Sequence, residues 1–408
     1  MVLSESQVLI KFCIKRLSSG KSTFLNSACL TDVKVSELPF TTIDANKGVA
    51  YAKVNCVCKD LDVKDNPKNS ICIDGTRFIP LNLLDVAGLV PDAHKGKGLG
   101  NKFLNDLSRA DVLLHVVDMT GALDKSGNRV AEGENNPYED ILFLENEINY
   151  WVKGILERED WDKFTRSSQD KKKMRVDLHK RLSGLKISQQ HVLAALKDSS
   201  LEDKLPSQWN EDEMLKFSKT IREISKPILI IANKIDKEIS IANLEDLKTK
   251  YKESIIPCSA LAEYVLRKYN EDKIIKYLPG SSEFEVIDKD KLKSNELETL
   301  NRIKHEILDK FDETGVQKTL NYATFNILDL IAVYPVSDIT HYSDKDNNVL
   351  PDVFLVKKGT LLRDFVRDKI HSDLAKHFIH GIDVRTKKRL GEHYELQHND
   401  IIKIVTSK

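Results

Sequence analysis

Three short clusters along the chain have the residue types and spacing of a nucleotide site. The first is Ser18-Ser19-Gly20-Lys21-Ser22-Thr23, which follows the apolar stretch 8–14 and precedes an apolar helical pattern. A strand, a glycine-containing loop and a helix N-terminus turn backbone N–H groups and a helix dipole toward an anion. In such a loop Lys21 reaches the terminal phosphates, and the Ser22 hydroxyl is a ligand for Mg2+. The second cluster, Asp85-Val86-Ala87-Gly88, ends the apolar run 78–84. There an acid approaches Mg2+ through water, and the Gly88 N–H meets the γ-phosphate. The third is Asn233-Lys234-Ile235-Asp236, closing the apolar run 227–232 and followed by Ser259-Ala260. Asp236 would accept two hydrogen bonds from the N1–H and exocyclic amine of guanine, a pairing that adenine leaves unsatisfied. A backbone N–H at Ser259-Ala260 would meet the guanine carbonyl.

These clusters need buried strands to carry them. Residues 8–14, 78–84, 112–117 and 227–232 are apolar runs of strand length, the last three each ending where a chemical residue begins. Asp74-Gly75 lies between two apolar segments and predicts a hairpin turn. Between Asp118 and Pro227 the period changes to that of a helix. Ile141, Leu144, Ile148, Trp151 and Ile155 form one face, and Leu178, Leu182 and Leu185 begin another. Asn210 with Glu213 has the spacing of a helix-capping arrangement. These stripes are expected to be core, as are Tyr334, Phe354, Phe365 and Phe378 in the tail.

The phosphate loop departs from its pattern at one place. The full form G-x-x-x-x-G-K-[ST] asks for glycine where this chain has Lys15. Lysine carries a Cβ and resists the backbone conformations glycine adopts, so an altered loop entry is expected.

The stretch from Asp85 to Leu104, with His94 and the closely spaced Gly96, Gly98 and Gly100, resembles the switch II hallmark of YchF-related, Obg-like GTPases. Pro39-Phe40-Thr41-Thr42-Ile43 is similar to that family's switch I, and Thr42 stands where members ligate Mg2+. Tyr334-Pro335 opens a tail resembling a TGS domain, a ubiquitin-like β-grasp fold; Gly359, Asp364, Ile370-His371 and Gly391 are among its marks. The unmodified Asn233–Asp236 motif is similar to the archaeal-type, GTP-specific branch rather than to ATP-preferring relatives.

The resemblance implies an α/β chain with a Ras-like P-loop G domain on a mainly parallel sheet, spanning 1–137 and 226–328. It implies a helical insertion over 138–225 and a TGS domain over 329–408. It implies a slow, Mg2+-dependent GTPase acting as a switch near the ribosome. Lys21, Thr42 and Gly88 are the expected catalytic residues, and Ser22 and Thr42 the metal ligands. Nucleotide contacts fall to Ser18, Ser19, Gly20, Lys21, Ser22, Thr23, Asp85, Gly88, Asn233, Lys234, Asp236, Ser259 and Ala260. The residue after Gly88 is Leu89, which has no group to orient water, hence the slow turnover. His94 is read as an exposed loop histidine in preference to a replacement for that group. The competing reading is an adaptor whose altered phosphate loop no longer hydrolyses nucleotide.

Composition sets outer bounds. The chain has 408 residues, enough for two or three domains, and equal numbers of Lys+Arg and Asp+Glu at 63 each. Two local excesses stand out: nine basic residues against two acidic over 163–186, and ten against four over 357–389. Either would meet the phosphate backbone of RNA or serve as a solvated face. No apolar run approaches the roughly 20 residues that cross a bilayer, so a cytoplasmic protein is expected. Cys56, Cys58 and Cys72 lie near one another and offer part of a zinc site, but the C-x-C spacing and the missing fourth ligand weigh against zinc, and reduced thiols are the preferred reading.

Overall fold

The computed structural model describes residues 9–13, 19–29, 47–85, 108, 110–124, 128–157, 161–167 and 170–407. In chain order the main strands are β1 (Leu9–Cys13), β2 (Lys47–Asn55), β3 (Ile71–Ile73), β4 (Thr76–Asp85), β5 (Val112–Asp118), β6 (Ile228–Asn233) and β7 (Ile255–Cys258). A short pair, β8 (Ile275–Lys276) and β9 (Glu285–Val286), precedes the tail strands β10 (Leu330–Val336), β11 (Phe354–Lys357), β12 (Phe378–Asp383), β13 (Arg389–Leu390) and β14 (Asp400–Thr406). The chain packs as two compact units, one drawn from 9–27 and 84–316, the other from 28–83 and 317–408.

In the first unit β1, β5, β6 and β7 run parallel and lie in that order. Parallel strands are covered on both faces, so they read as continuous apolar runs, and all seven residues of β5 are buried. The register places strand ends level: Asp118 of β5 opposes Asn233 of β6, which opposes Cys258 of β7. That level edge is where the chemical residues gather.

Helix Pro137–Leu156 links the sheet to a helical layer. Ile141, Leu144 and Ile148 pack with residues of β5 and β6, while Val152 and Leu156 join Met174, Leu178, Leu182, Val192, Phe217 and Ile221. The stripes read from periodicity are core, and helices Lys171–Leu182, Gln189–Asp198 and Glu211–Ser225 complete the layer. The Asn210 arrangement forms in full. Its Oδ1 accepts from Glu213 N at 2.9 Å, and Glu213 Oε2 accepts from Asn210 N at 3.0 Å.

In the second unit, Asp74 and Gly75 both adopt positive φ, +49° and +70°, and close a tight turn between β3 and β4. That backbone matches the twist of a two-residue hairpin, and glycine reaches it without strain. The tail is a five-stranded sheet in the order β11-β10-β14-β12-β13, with β10 and β14 parallel. Phe365 is fully buried, and Phe354 and Phe378 pack against it. Tyr334 is also buried, so all four tail aromatics are core. The outer edge of β2 is closed by side-chain amides: Gln317 donates to Tyr51 O at 2.8 Å, and Asn321 both donates to Lys53 O and accepts from Lys53 N. Satisfying an edge strand in this way removes a template for pairing with another chain.

No helix among the described residues is long and apolar enough to cross a membrane. Replacing Asn210 with alanine removes the side-chain acceptor of the cap of Glu211–Ser225 and leaves the backbone N–H that Glu213 accepts from, and a loss of about 1 kcal/mol is expected. Hydrogen exchange of the amides in the first turn of that helix reads it directly; unchanged protection would contradict the assignment.

Candidate functional site

The nucleotide-site residues collect at the C-terminal ends of β5, β6 and β7 and at the start of helix Lys21–Ala28. Helix Lys21–Ala28 follows Gly20, whose carbonyl accepts from Phe24 N at 2.8 Å. Gly20 has φ +90°, and a Cβ there would lie 2.2 Å from Asn233 Nδ2. The glycine is therefore demanded twice, by backbone conformation and by the close approach of the guanine-reading strand. Lys21 and Asp85 form an ion pair at 2.9 Å, joining the phosphate-loop lysine to the acid that ends β4. Ser22 is exposed and Thr23 half-buried on the first turn of the helix, where a hydroxyl stands beside any anion bound by the N–H groups.

Asn233 ties the loops together. It is buried, its Nδ2 donates to Ser19 O at 2.9 Å, and its Oδ1 accepts from Ala260 N at 3.1 Å. Of the two backbone N–H groups at Ser259-Ala260 read from the sequence as candidate donors to the guanine carbonyl, that of Ala260 thus has an internal acceptor in this conformation. Lys234 adopts φ +67°, a conformation that costs a side-chain-bearing residue on the order of 1 kcal/mol. The turn sends its ammonium to Asp118 Oδ2 at 2.6 Å and leaves Asp236 beside Ser259, whose hydroxyl donates to Asp236 Oδ1 at 2.8 Å. One carboxylate oxygen is held in place while the group stays half-buried at the edge of the site.

Several supporting residues were not singled out by the sequence. Asp118, almost fully buried, accepts from the Thr120 hydroxyl at 2.7 Å as well as from Lys234. Its signal was present: an acid ends an apolar strand at the level where Asn233 ends the next. The other group had no signal at all. Ser259 N donates to Thr314 O at 2.9 Å. Thr314 and Tyr277, 51 and 14 residues away from Glu263, both donate hydroxyls to its buried carboxylate. Burial pushes the Tyr277 phenol well above its ordinary range, which keeps it a donor. The loop that presents Ser259 and Ala260 rests on this network.

Ser18, Thr42 and Gly88 lie outside the described residues, as do Lys15, Leu89 and His94. The expected metal pair Ser22 and Thr42 is thus represented by Ser22 alone.

Comparison with known proteins agrees with this geometry. Residues 14–147 match the family model of the 50S ribosome-binding GTPase, residues 231–338 the G4-motif-containing domain of YGR210-like Obg-like GTPases, and residues 339–406 the TGS domain. An uncharacterized GTP-binding protein of Methanocaldococcus jannaschii is 46% identical over 390 residues, 95% of this chain and 96% of its own. The crystal structure of a GTP-binding protein from Pyrococcus horikoshii superposes with a TM-score of 0.75 at 37% identity, covering 98% of this chain and 100% of that one. The YchF GTPase of Schizosaccharomyces pombe, at 17% identity and TM-score 0.58 over 98% and 99% of the two chains, shares the fold. With the phosphate loop, the guanine-reading turn and the TGS tail in one chain, this protein belongs to the Obg-like, YchF-type GTPases.

Proposed function

We propose that this chain hydrolyses GTP slowly in the presence of Mg2+ and acts as a nucleotide-dependent switch near the ribosome. The observation that carries the guanine assignment is Asp236, held by Ser259 on a turn that Lys234 and Asn233 anchor. A preorganised carboxylate pairs with guanine at no cost in reorganisation and meets a lone pair on adenine.

Mg2+ fits the donors available. The Ser22 hydroxyl and the Asp85 carboxylate are hard oxygen ligands, the type that this ion takes from phosphate-loop proteins. Ser22, with Thr42 by resemblance, would hold it, and the ion would neutralise charge on the β- and γ-phosphates. The chain's own contribution is positional. The N–H groups at the start of helix Lys21–Ala28 and the Lys21 ammonium bind phosphate oxygens, and Asp236 sets the base. The Lys21–Asp85 ion pair would open as the lysine turns to the phosphates, which couples loading of the site to the end of β4. Leu89 supplies no hydrogen bond to an attacking water, which supports slow turnover in the isolated chain and acceleration by a partner.

The helical layer supports contact with RNA. Lys172, Lys173 and Arg175 are exposed on helix Lys171–Leu182. Four of the tail's ten basic residues over 357–389 are already paired with acids: Arg363 with Glu392, Arg367 with Asp364 and Asp368, Lys376 with Asp373, and Arg385 with Asp60. The TGS domain remains a second contact in this reading, and the helical layer is the stronger electrostatic one. The site acts in the cytoplasm.

Titrating the purified chain with labelled GTP and ATP, followed by phosphate release, tests the enzymatic reading. GTP preference with slow release is expected; ATP preference would refute the guanine argument, and failure to bind either would leave the adaptor. Asp236→Asn removes one acceptor and leaves a base N–H unpaired, so GTP affinity should fall about 10- to 100-fold. Reversing charge at Lys172, Lys173 and Arg175 together should lower co-sedimentation with ribosomes and flatten its salt dependence. An unchanged salt slope would move the contact elsewhere.

A further inference from the structure

The hairpin of β3 and β4 and the loop before it gather four potential ligands that the nucleotide site does not use. The Sγ atoms of Cys56, Cys58 and Cys72 and a carboxylate oxygen of Asp65 all lie within 4.8 Å of one another. Cys56 and Cys58 are buried, and Asp65 and Cys72 half-buried. Cys58 Sγ and Cys72 Sγ are 3.9 Å apart, and Cys56 Sγ is 3.2 Å from Asp65 Oδ2. A tetrahedral zinc ion with arms of about 2.3 Å to sulfur spaces its sulfur ligands about 3.8 Å apart, with the sulfur–oxygen edge somewhat shorter. The Cys58–Cys72 and Cys56–Asp65 spacings are close to two edges of such a shell, and the remaining pairs lie within 4.8 Å. The sequence alone had shown three thiols without a fourth ligand; the fold brings Asp65 in to complete the set.

Backbone contacts fix the ligands independently of any ion. Cys56 N donates to Gly75 O at 3.0 Å, tying the first ligand to the turn between β3 and β4. Cys56 caps the short helix Val57–Asp60, and Cys58 O accepts from Val63 N at 3.0 Å. Cys72 sits in β3 directly opposite Arg77 in β4.

Arg77 gives the cluster its charge balance. Its side chain is fully buried, and Nη2 lies 3.0 Å from Asp65 Oδ2. Nη1 donates to Ser70 Oγ at 2.9 Å and Nη2 to Leu350 O at 3.1 Å, while the guanidinium lies 5.5 Å from the centre of the Tyr334 ring. The guanidinium holds the same Asp65 oxygen that faces Cys56 Sγ, so it fixes that oxygen beside the thiols, as partners of metal ligands do. Three thiolates, one carboxylate and a divalent zinc leave two negative charges, and Arg77 offsets one of them.

We propose that Cys56, Cys58, Asp65 and Cys72 form a zinc site. Thiolates select a borderline-soft d10 cation over the hard Mg2+ of the nucleotide site. Four protein ligands fill a tetrahedral shell and leave no position open for a substrate, so the site is structural. What it stabilises is the loop between Asp65 and Cys72, which serves as a docking edge within its unit. Asn66 N donates to Val349 O at 2.8 Å, and Lys68 N to Pro351 O at 2.7 Å. Asn69 exchanges two hydrogen bonds of 3.0 Å with Val353, and Lys68 pairs with Asp344 at 2.7 Å. Closing the loop at both ends with one ion would hold this edge in register for the segment that leads into β11.

The test uses the full chain, purified without chelators. Metal released by a mercurial is expected at about one zinc per chain, falling at least about tenfold in Asp65→Asn and in Cys72→Ser. Co2+ added to the metal-stripped chain should give sulfur-to-cobalt absorption and tetrahedral d–d bands. In Asp65→Cys the charge-transfer absorption should rise by about a third, as four thiolates replace three; a chain that had merely lost its fold would not gain signal. The proposal is overturned if the wild-type chain holds no more zinc than the variants and Co2+ in excess gives no sulfur-to-cobalt band. Recovery of a Cys58–Cys72 disulfide from chain kept under reducing conditions would overturn it equally.

Discussion

The carboxamide of Asn233 is the constraint on which the nucleotide site depends. It sits buried at the end of β6, donates to the carbonyl of Ser19 in the phosphate loop and accepts from the N–H of Ala260 at the head of the next helix. Both of its polar atoms are thereby satisfied inside the protein, which a buried amide requires, and losing either partner would cost about 1–3 kcal/mol. The same group lies so close to Gly20 that the neighbouring loop tolerates no side chain there. One residue therefore sets the separation between the loop proposed to bind phosphate and the turn proposed to read the base.

The rest of the site follows from strands that end at one level. Because β5, β6 and β7 are parallel and in register, Asp118, Asn233 and Cys258 stand side by side, and the residues just beyond them form a single rim. Lys234 accepts an unfavourable left-handed backbone because its ammonium reaches Asp118, a partner with no other cation among the described residues. Asp236 is thereby turned to Ser259, and the Ser259 loop is held in turn by Thr314, Glu263 and Tyr277. The Asp236 carboxylate, proposed to read guanine, is positioned by a chain of hydrogen bonds reaching across nearly two hundred residues of sequence, from Asp118 to Thr314.

The unit drawn from 28–83 and 317–408 rests on a different device. Its hairpin carries a buried guanidinium, Arg77, whose charge is met by Asp65, by the carbonyl of Leu350 and by the face of Tyr334. Its Nη1 and Nη2 donors find acceptors while Nε, also buried, finds none among the described residues, and all three of the groups just named come from outside the hairpin itself. The hairpin, the loop with its thiols and the tail segment around Leu350 thus stand or fall as one structure.

Much of the site was legible from residue order. Asp85 and Asn233 each sit at the end of an apolar run, and Lys21 and Asp236 belong to short motifs that follow one, so local pattern suffices to see them; so it does for the cap at Asn210 and the turn at Asp74-Gly75, which use contacts within a few residues. What the sequence by itself determined was therefore the set of motifs, the elements that carry them and the family they resemble. Only the tertiary structure decided which distant groups meet. Glu263 with Thr314, Lys234 with Asp118, and Asp65 with three cysteines and Arg77 are pairings set by strand register and loop path, and no spacing rule reports them. The physical reason is that a motif encodes what a residue offers to a ligand, whereas its orientation is fixed by hydrogen bonds and burial contributed by whichever segments the fold brings alongside.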